Sequence, residues 1–350
     1  MKRKLASIQR VSDVVKHPNA DLLDLVYVKG WQCVAKRGEF IPGDLVVYFE
    51  IDSVLPVRSE FEFLRKGCYV KKDWLPNSEG MRLRTIKLRG AVSQGLVVHL
   101  GAINVDWRNE HKQEGVDVTD LVGVVKWDPP LPAQLGGVAK GNFPSFIPKT
   151  DQERIQNAFD DIMQTKQDGE VFERTVKLDG SSCTVFYHDR ELGVCSRNLQ
   201  LKIEENQTNS FVRAAIDTGL TASLTEYCNK TGRSIAVQAE LMGPGVQGNR
   251  ESLPGLQLFV FDIFDILKQQ RLLPGERYNV FKELAILGFK GEHVPVLSTR
   301  AAPGYSVEWF LKDAEGHSLN HLVREGVVWK STSRDLSFKA ISNTFLLGEK

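Results

Sequence analysis

The chain has 350 residues, 42% of them hydrophobic and 25% charged, which is enough for about two domains with apolar cores. Its formal net charge is only +1, so overall charge gives no polybasic signature, and any contact with nucleic acid must come from a local patch. The basic start is followed by polar residues and no long apolar run is present, so we predict neither a signal peptide nor a membrane span and expect an intracellular, cytoplasmic protein.

The N-terminal region carries short β signals bounded by Gly, Pro or Asp. They lie at Leu25–Val28, Gln32–Ala35, Leu45–Ile51, Leu83–Leu88 and Gly95–Leu100. Short strands at this density predict a small OB-type β-barrel, which we assign to residues 1–125. The segment His17–Leu22 resembles a loop of tRNA-binding OB modules, and an Asn/Asp turn after proline is an equally good interpretation.

Basic residues gather near the fourth of these β segments. Arg82 and Arg84 are two residues apart, as are Lys87 and Arg89, so each pair shares one face if the segment is a single strand. Such pairs can follow a row of phosphates, although scattered charge on the solvent face of a barrel explains them equally well. We take Arg84 and Lys87 as candidate contacts to a nucleic-acid backbone.

Residues 126–148 are rich in proline and glycine and predict an extended linker rather than a helix. Residues 149–350 then form the second predicted domain. A helix is expected over Asp151–Phe159. Strands are expected at 171–178, 183–188, 234–241 and 257–263, and a second helical segment at 306–315. Strands and helices without a regular βαβ repeat favour an α+β fold with an antiparallel sheet.

Residues 177–180 read Lys-Leu-Asp-Gly, which places a lysine two residues before an aspartate at a glycine turn. The ordinary pKa of lysine is near 10.4, and burial beside other cations lowers it enough to make the amine a nucleophile. Lys330 and Lys339 are the candidate cations, and they also suit charge that develops on a phosphate. On an extended segment Lys177 and Asp179 share a face, so Asp179 orients the amine or holds a hydrated metal. The pattern predicts attack by Lys177 on the α-phosphate of a nucleotide.

Residues 177–180 resemble motif I of the covalent nucleotidyltransferases, the superfamily of RNA ligases, DNA ligases and mRNA capping enzymes. Other segments resemble motifs Ia, III, IIIa, IV and V in the expected order, at Ser196–Asn198, Ala239–Arg250, Leu258–Ile263, 325–330 and Ser337–Lys339. Because the OB module lies upstream, the chain resembles the RNA ligases typified by the Deinococcus and Naegleria enzymes. Those enzymes often have Lys-x-Lys in motif V, whereas this chain has isoleucine at position 341.

The resemblance implies an ATP-dependent RNA ligase that seals 3'-hydroxyl and 5'-phosphate ends at nicks, in RNA repair, through lysyl-AMP and adenylylated RNA. It implies Lys177 as the catalytic residue and nucleotide contacts from Arg154, Arg197, Glu240, Phe261, Lys330 and Lys339. It implies Mg²⁺ or Mn²⁺ held, through water, by Asp179, Glu240 and Glu325. With RNA as the partner, Arg84 and Lys87 become predicted RNA contacts. We expect a monomer without membrane association.

Several site assignments have a structural alternative. Phe261 would simply face the core if it shares a strand face with Phe259, and Glu240 would be a surface acid at a strand end. Lys330 would be a solvated strand residue, and Arg154 would form an ion pair along its own helix.

There are two alternatives to the ligase function. A DNA ligase or capping-type enzyme would use the same lysine chemistry, but the upstream position of the OB module disfavours both. An RNA-binding protein with an inactive nucleotidyltransferase domain is disfavoured because the chain keeps its reactive set, namely Lys177, Asp179, Glu240, Glu325 and Lys339.

Overall fold

The computed structural model describes residues 4–127, 138–204 and 208–348. The chain divides into two compact units, residues 1–131 and 132–350. Most of the proline-rich part of the predicted linker, residues 128–137, lies outside the described residues. Within the rest of that segment, Ala139–Asn142 form a strand of the second unit, so this part belongs to a sheet.

The first unit is built almost entirely of short strands. They are β1 (Ala6–Arg10), β2 (Asp13–Lys16), β3 (Leu23–Val28), β4 (Trp31–Lys36), β5 (Leu45–Phe49), β6 (Ser53–Leu55), β7 (Tyr69–Lys71), β8 (Glu79–Arg82), β9 (Thr85–Leu88), β10 (Ala91–Gln94), β11 (Leu96–His99) and β12 (Val125–Lys126). Its single-turn helices are α1 (Arg65–Cys68) and α2 (Thr119–Val122), with 3₁₀ turns at Ser59–Leu64, Pro76–Ser78, Leu100–Ala102 and Asn109–Lys112.

These strands pair antiparallel in four small sheets, with the orders β1-β5-β11, β2-β3-β4, β9-β10 and β12-β6-β8-β7. Strand β5 shows why they close around a core. Val47 and Phe49 on one face join one hydrophobic cluster, while Val46 and Tyr48 on the other face join a second cluster around Trp31. Since successive strand residues point to opposite faces, β5 is buried on both sides. This arrangement is the predicted OB-type barrel.

The predicted single strand Leu83–Leu88 is wrong. Strand β8 ends at Arg82, and Leu83 turns into the core, where its N–H donates to the Ser53 carbonyl oxygen. Arg84 is exposed between β8 and β9, so it does not share a strand with Arg82. Lys87 is exposed on β9, and the Arg82 guanidinium lies over the Trp127 ring, 4.1 Å from its centroid. The paired-cation geometry expected for this region is therefore absent.

The segment that begins at His17 makes polar contacts with the β9–β10 hairpin. The His17 Nε2 atom lies 3.0 Å from the Leu88 carbonyl oxygen, and the Asn19 side-chain amide donates to the Arg89 carbonyl oxygen at 3.1 Å. Arg89 has a φ of 48°, at the turn of that hairpin. The histidine and asparagine of this segment therefore hold the basic hairpin in place.

The second unit mixes strands with helices. Its strands are β13 (Ala139–Asn142), β14 (Glu153–Arg154), β15 (Phe172–Lys177), β16 (Ser181–His188), β17 (Glu191–Cys195), β18 (Leu199–Leu201), β19 (Ile235–Met242), β20 (Gln257–Asp265), β21 (Gln270–Arg271), β22 (Glu292–His293), β23 (Val296–Ala301), β24 (Gly326–Ser331) and β25 (Ser337–Ile341). Its helices are α3 (Ile155–Gln167), α4 (Ser210–Asp217), α5 (Leu220–Thr231), α6 (Pro274–Ile286), α7 (Val307–Asp313) and α8 (Asn343–Leu347), with a 3₁₀ turn at Gln247–Asn249.

Two sheets organise this unit. The larger has the order β13-β18-β17-β16-β19-β20-β21, with β22 added to β20, and the smaller has the order β14-β25-β24-β15-β23. Pairing is antiparallel except for β14–β25 and β20–β22. Aliphatic residues of α4, α5 and α6 pack on the larger sheet, and an aromatic cluster that includes Phe172, Phe310 and Trp329 packs the smaller sheet against α3 and α7. The unit has the predicted α+β fold.

The first helix of this unit begins later than predicted. Glu153 and Arg154 pair in parallel with Phe338 and Lys339 of β25, and α3 begins only at Ile155, which is fully buried. Long-range pairing with β25 therefore overrides the local helix signal in this segment. Among the described residues, no helix has the length and apolarity needed to cross a bilayer.

Candidate active site

Strand pairing brings Lys177 and Glu325 together although they are 148 residues apart in sequence. Lys177 ends β15 directly opposite Gly326, the first residue of β24. The Lys177 ammonium donates to Glu325 Oε2 at 2.6 Å, and both side chains are largely buried. Gly326 is required here because a Cβ atom would collide with the Ala340 carbonyl oxygen of β25.

Glu240 approaches the same lysine from the larger sheet. It lies on β19 opposite Ser182 of β16, and its Oε1 atom accepts a hydrogen bond from the Gly180 N–H at 3.1 Å. A Cβ atom at position 180 would lie 2.5 Å from the Leu241 carbonyl oxygen, so only glycine fits this turn. Gly180 thus connects the lysine-bearing strand to the glutamate-bearing sheet, with Asp179 beside it.

The pKa of Lys177 shifts in the direction opposite to the one predicted from the sequence. Burial alone lowers the pKa of Lys177, but Glu325, Glu240 and Asp179 outweigh burial, and the pKa is raised above its ordinary value. The predicted depression of the Lys177 pKa by neighbouring lysines is therefore wrong. Burial raises the pKa of Glu240 to about 8, with Glu325 and Asp179 adding to the rise and Lys177 opposing it. Three carboxylates crowd around one ammonium.

Phe261 lies in an irregular part of β20. The register of β19 and β20 pairs Gln238 with Asp262 and Ala239 with Val260, which leaves Phe261 as the extra residue of a β-bulge. Bulges re-aim side chains and are common beside active sites. Phe259 is 1% exposed and belongs to the core, whereas Phe261 is only partly buried. Phe261 also packs against the hydrophobic cluster that contains Phe259, so its stacking role stays a prediction.

Lys330 is not the solvated strand residue of the alternative interpretation. It is 5% exposed, its ammonium donates to Asp262 Oδ1 at 2.5 Å and to the Phe261 carbonyl oxygen, and it lies 5.6 Å from the Phe261 ring centroid. Burial lowers the pKa of Lys330 to about 8, with Asp262 opposing and Arg277 adding to that shift. Arg277 is itself fully buried and pairs with Glu173. Sequence reasoning missed these partners.

Lys339, Arg154 and Arg197 form a second group of cations, and Lys339 interacts electrostatically with Lys177. Arg154 is opposite Lys339 in the β14–β25 pair, and not on the helix where sequence reasoning placed it. Arg197 contacts Asp151 Oδ1 at 2.9 Å, with both side chains about half exposed. Asp151 in turn favours the protonated form of Lys339 and so raises its pKa. These groups therefore form one connected set of charges.

The environment of Lys339 gives a stability prediction. Burial, and then Lys177 and Arg154, lower its pKa to about 8 from the ordinary value of 10.5. We expect Lys339→Met to raise Tm at pH 7 by a few degrees, because the folded protein holds a disfavoured charge there. The gain should be full below pH 8 and shrink between pH 8 and 10.5, where only the unfolded lysine is still charged.

Thermal melts at several pH values test this prediction, and adenylylation by the same variant should be lost. Lys230→Met is the matched control, because the Lys230 side chain is 61% exposed and pairs with Glu226 on a helix surface. A gain for Lys339→Met that does not depend on pH would contradict the assignment of a charged lysine at this position.

The carboxylates near Lys177 suit a hydrated divalent cation. Asp179, Glu240 and Glu325 all act on the charge of Lys177, and oxygen donors of this kind match Mg²⁺ and Mn²⁺. Within residues 4–127, 138–204 and 208–348, no group of three or more His, Cys, Asp or Glu is close enough to ligate one ion directly. Magnesium in proteins commonly keeps several waters beside one or two carboxylates, and carboxylates of this kind suit such an ion.

Sequence reasoning also missed Arg250 as a site residue. Its Nη1 atom lies 4.0 Å from Asp179 Oδ2, and its side chain is 23% exposed. The signal available in the sequence was the glycine-rich loop between Glu240 and Arg250, since such loops allow close approach of the backbone to a ligand. The sequence pattern alone indicates no role for this arginine.

Comparison with known proteins gives family matches in both compact units. An OB-fold domain model matches residues 5–100, and the RNA ligase model matches residues 170–341. The RNA ligase of Naegleria gruberi, solved as an apo variant, is 40% identical over 98% of this chain and 97% of its own, with a TM-score of 0.88. The chain belongs to the RNA ligase family. Comparison with curated protein sequences gives no significant match.

Other solved forms of the Naegleria gruberi RNA ligase show what that protein binds. A lysine-to-alanine variant solved with ATP and Mn is 40% identical over 98% of both chains, with a TM-score of 0.88. The form solved with PPi is 41% identical over 99% of this chain and 98% of that chain, with a TM-score of 0.87. The OB-fold and RNA ligase matches fall on the two compact units of this RNA ligase.

Proposed function

We propose that this RNA ligase uses ATP to seal 3'-hydroxyl and 5'-phosphate RNA ends at nicks, as a repair enzyme. The observation that carries the proposal is the contact of the Lys177 ammonium with Glu325, with Glu240 and Asp179 on the same lysine. These carboxylates raise the pKa of Lys177 and keep it protonated, and the nearest of them, Glu325, can accept the proton that a nucleophilic amine must lose. The ATP and Mn bound by the Naegleria gruberi enzyme support the choice of nucleotide and metal.

The first step joins AMP to Lys177. The Nζ lone pair forms a bond to the α-phosphorus of ATP, the bond from that phosphorus to the bridging oxygen breaks, and its electron pair leaves with pyrophosphate. Lys177 must first lose a proton, and Glu325 Oε2, 2.6 Å from Nζ, is placed to hold it; a second proton leaves the nitrogen to solvent as the N–P bond forms. Lys339 neutralises charge on the phosphate, while the bulged Phe261 ring stacks on adenine and Lys330 supports it.

A hydrated Mg²⁺ or Mn²⁺ held by Asp179, Glu240 and Glu325 would supply positive charge, which lowers the pKa of the Lys177 amine and stabilises the developing phosphate charge. Arg154 and Arg197 provide the remaining contacts to the nucleotide. In the second step AMP passes from Lys177 to the 5'-phosphate of RNA. In the third, a 3'-hydroxyl displaces AMP and seals the strand.

Labelled nucleotides test this function directly. The protein is incubated separately with labelled ATP, GTP and NAD, and only ATP is expected to leave label on the protein. The labelled enzyme is then given a nicked duplex with an RNA 3'-hydroxyl strand, or two unpaired RNA strands, with faster sealing expected for the nick. Label from GTP would favour a capping-type enzyme, and no label from any nucleotide would favour an inactive domain that only binds RNA.

We further propose that residues 1–125 form a module that engages RNA and that residues 149–350, together with the strand Ala139–Asn142 that joins their larger sheet, carry the nucleotide chemistry. Exposure of Arg84 and Lys87 on the first unit supports the RNA role. Residues 132–350 form a compact unit with hydrophobic clusters of their own, which supports separate folding.

A fragment that begins at Pro132 tests this division of labour. We expect it to form lysyl-AMP at a rate close to that of the intact protein, since Lys177, Glu240, Glu325 and Lys339 all lie within it. We expect sealing of a nicked duplex to fall on the order of tenfold or more, because phosphate contacts supply much of nucleic-acid affinity. Substitution of Arg84 and Lys87 by alanine in the intact protein should reproduce part of the defect and flatten the salt dependence of binding.

Both proteins are assayed on the same nick and on ATP alone. The matched control for the double substitution is Arg10→Ala, because Arg10 is also exposed on the first unit but is paired with Glu114 at 3.2 Å. Equal sealing by fragment and intact protein would remove the RNA role of the module. Failure of a folded fragment to form lysyl-AMP would show that the first unit helps to build the nucleotide site.

A further inference from the structure

The loop after β19 is bent sharply and brings Arg250 to Asp179 of the active site. Gly243, Gln247, Asn249 and Ser252 all have left-handed φ angles, of 127°, 42°, 47° and 53°. Residues other than glycine adopt such angles at an energetic cost, and such strain gathers at functional sites. The Asn249 side chain fixes the bend by donating to the Leu253 carbonyl oxygen at 2.9 Å and accepting from its N–H at 3.0 Å.

Fixed groups surround the Arg250 guanidinium. It lies 4.6 Å from the centroid of the Phe345 ring and 3.5 Å from Nδ1 of His321, in addition to its 4.0 Å approach to Asp179. His321 is held in turn by Glu251, whose Oε2 atom accepts from the His321 N–H at 3.1 Å. Glu251 is 3% exposed, so this support is internal. The arginine is placed by three separate chain segments.

Few of the Arg250 donors are used by the protein. Arg324, a structural arginine in the same unit, donates to the backbone carbonyl oxygens of Ala314, Asp313 and Glu315 at 3.0, 2.6 and 2.8 Å. By contrast, within the described ranges Arg250 makes one hydrogen bond, to a histidine nitrogen that already accepts from the Val323 N–H. A guanidinium has five N–H donors, so most of those of Arg250 remain for a ligand.

A bound triphosphate would carry more negative charge than Lys339 alone can neutralise. Lys339 is contributed by β25, but Ile341, two residues later on that strand, is 3% exposed and apolar. Strand β25 therefore offers a single ammonium, while a nucleoside triphosphate brings several negative charges. A guanidinium matches phosphate oxygens through two parallel N–H bonds, which an ammonium does not.

We propose that Arg250 binds the β- and γ-phosphates of ATP and holds the pyrophosphate as it leaves. This inference rests on the proposed function and adds a residue to its first step. When the bond between the α-phosphorus and the bridging oxygen breaks, its electron pair leaves with pyrophosphate. The N–H donors of Arg250 are already in place to stabilise the negative charge that develops on pyrophosphate. Asp179, the neighbour of Arg250 in this structure, would then be available to help hold a hydrated metal.

The test separates the steps of the reaction in Arg250→Ala and Arg250→Lys. Three rates are measured: lysyl-AMP formation from ATP, discharge of isolated lysyl-AMP enzyme by pyrophosphate, and sealing of a nick that already carries 5'-AMP. We expect the first two to fall on the order of 100-fold in Arg250→Ala and the third to stay within about twofold. Arg250→Lys should recover only part of the loss, because it keeps the charge but not the two-donor fork.

Arg233→Ala is the matched control, since the Arg233 side chain is 24% exposed and pairs with Asp265 and Glu276 at 3.0 Å, with no active-site carboxylate among these partners. Its three rates should match the wild type. Unchanged lysyl-AMP formation in Arg250→Ala, or an equal loss in sealing of the 5'-AMP nick, would overturn the inference. Should Arg250→Ala fail to fold, Arg250→Lys decides by the same rates. A wild-type protein that takes no label from ATP would instead contradict the proposed function itself.

Discussion

Replacement of Lys177 by alanine should abolish covalent AMP on the protein and lower sealing of 5'-phosphate nicks by a factor of about 10³ or more. The reason is chemical, because Lys177 is the amine that contacts Glu325 at 2.6 Å among the three site carboxylates. Sealing of a strand that already carries 5'-AMP should survive, since that last step needs no lysyl intermediate. Gel assays with labelled ATP and with a preadenylylated strand measure the two reactions.

Lys177→Arg refines this test. It keeps a positive charge opposite Glu325, but a guanidinium stays protonated and cannot act as the nucleophile. Both variants should therefore fail in lysyl-AMP formation, while Lys177→Arg should remain nearer to wild type in Tm. Lysyl-AMP formed at the normal rate by Lys177→Ala would show that another lysine is the nucleophile, and would remove the central assignment.

Glu325→Gln should lower lysyl-AMP formation on the order of 100-fold while leaving Tm within a few degrees of wild type. The activity is lost because the acceptor for the Lys177 proton becomes a neutral amide. Stability changes little because two effects oppose each other. The substitution removes an attraction to Lys177, but Glu325 also raises the pKa of Asp179 and Glu240, so its loss relieves repulsion among carboxylates.

Adenylylation and thermal melts of the same preparations measure both expectations. Glu315→Gln is the matched control, because Glu315 is a nearby carboxylate whose oxygens accept from the Ser342 hydroxyl and the Asn343 N–H rather than from a lysine. It should lose stability and keep the rate per folded molecule. If Glu325→Gln instead melts early and its activity follows the folded fraction, Glu325 is a structural residue.

Sequence reasoning predicted the elements whose signals are local. The strands around 183–188 and 257–263 and the helix around 306–315 are present with shifted ends, at Ser181–His188, Gln257–Asp265 and Val307–Asp313. Their apolar content and turn residues lie within a few positions of each element, so one stretch of sequence is enough. The contact of Lys177 with Glu325 was accessible only through the resemblance of both segments to motifs of one family.

Features set by long-range pairing were not predictable in this way. The bulge at Phe261 depends on the register of β19 against β20, and residues 257–263 give no local sign of it. Arg154 joins a strand because β25 is available beside it. The sign of the Lys177 pKa shift depends on whether carboxylates or lysines come closer, and three carboxylates do. Arg250 meets His321 and Phe345 only after distant loops have folded.

The pairing of β15 with β24 also bears on when the enzyme becomes active during its own synthesis. Lys177 and Glu325 are separated by 148 residues, and Lys339 comes later still. Contacts of such high sequence separation form only after the intervening chain is available, and they are late and slow in folding. A nascent chain on the ribosome can thus display the lysine long before it can consume ATP. Covalent AMP on this protein would therefore report completed folding of its catalytic unit.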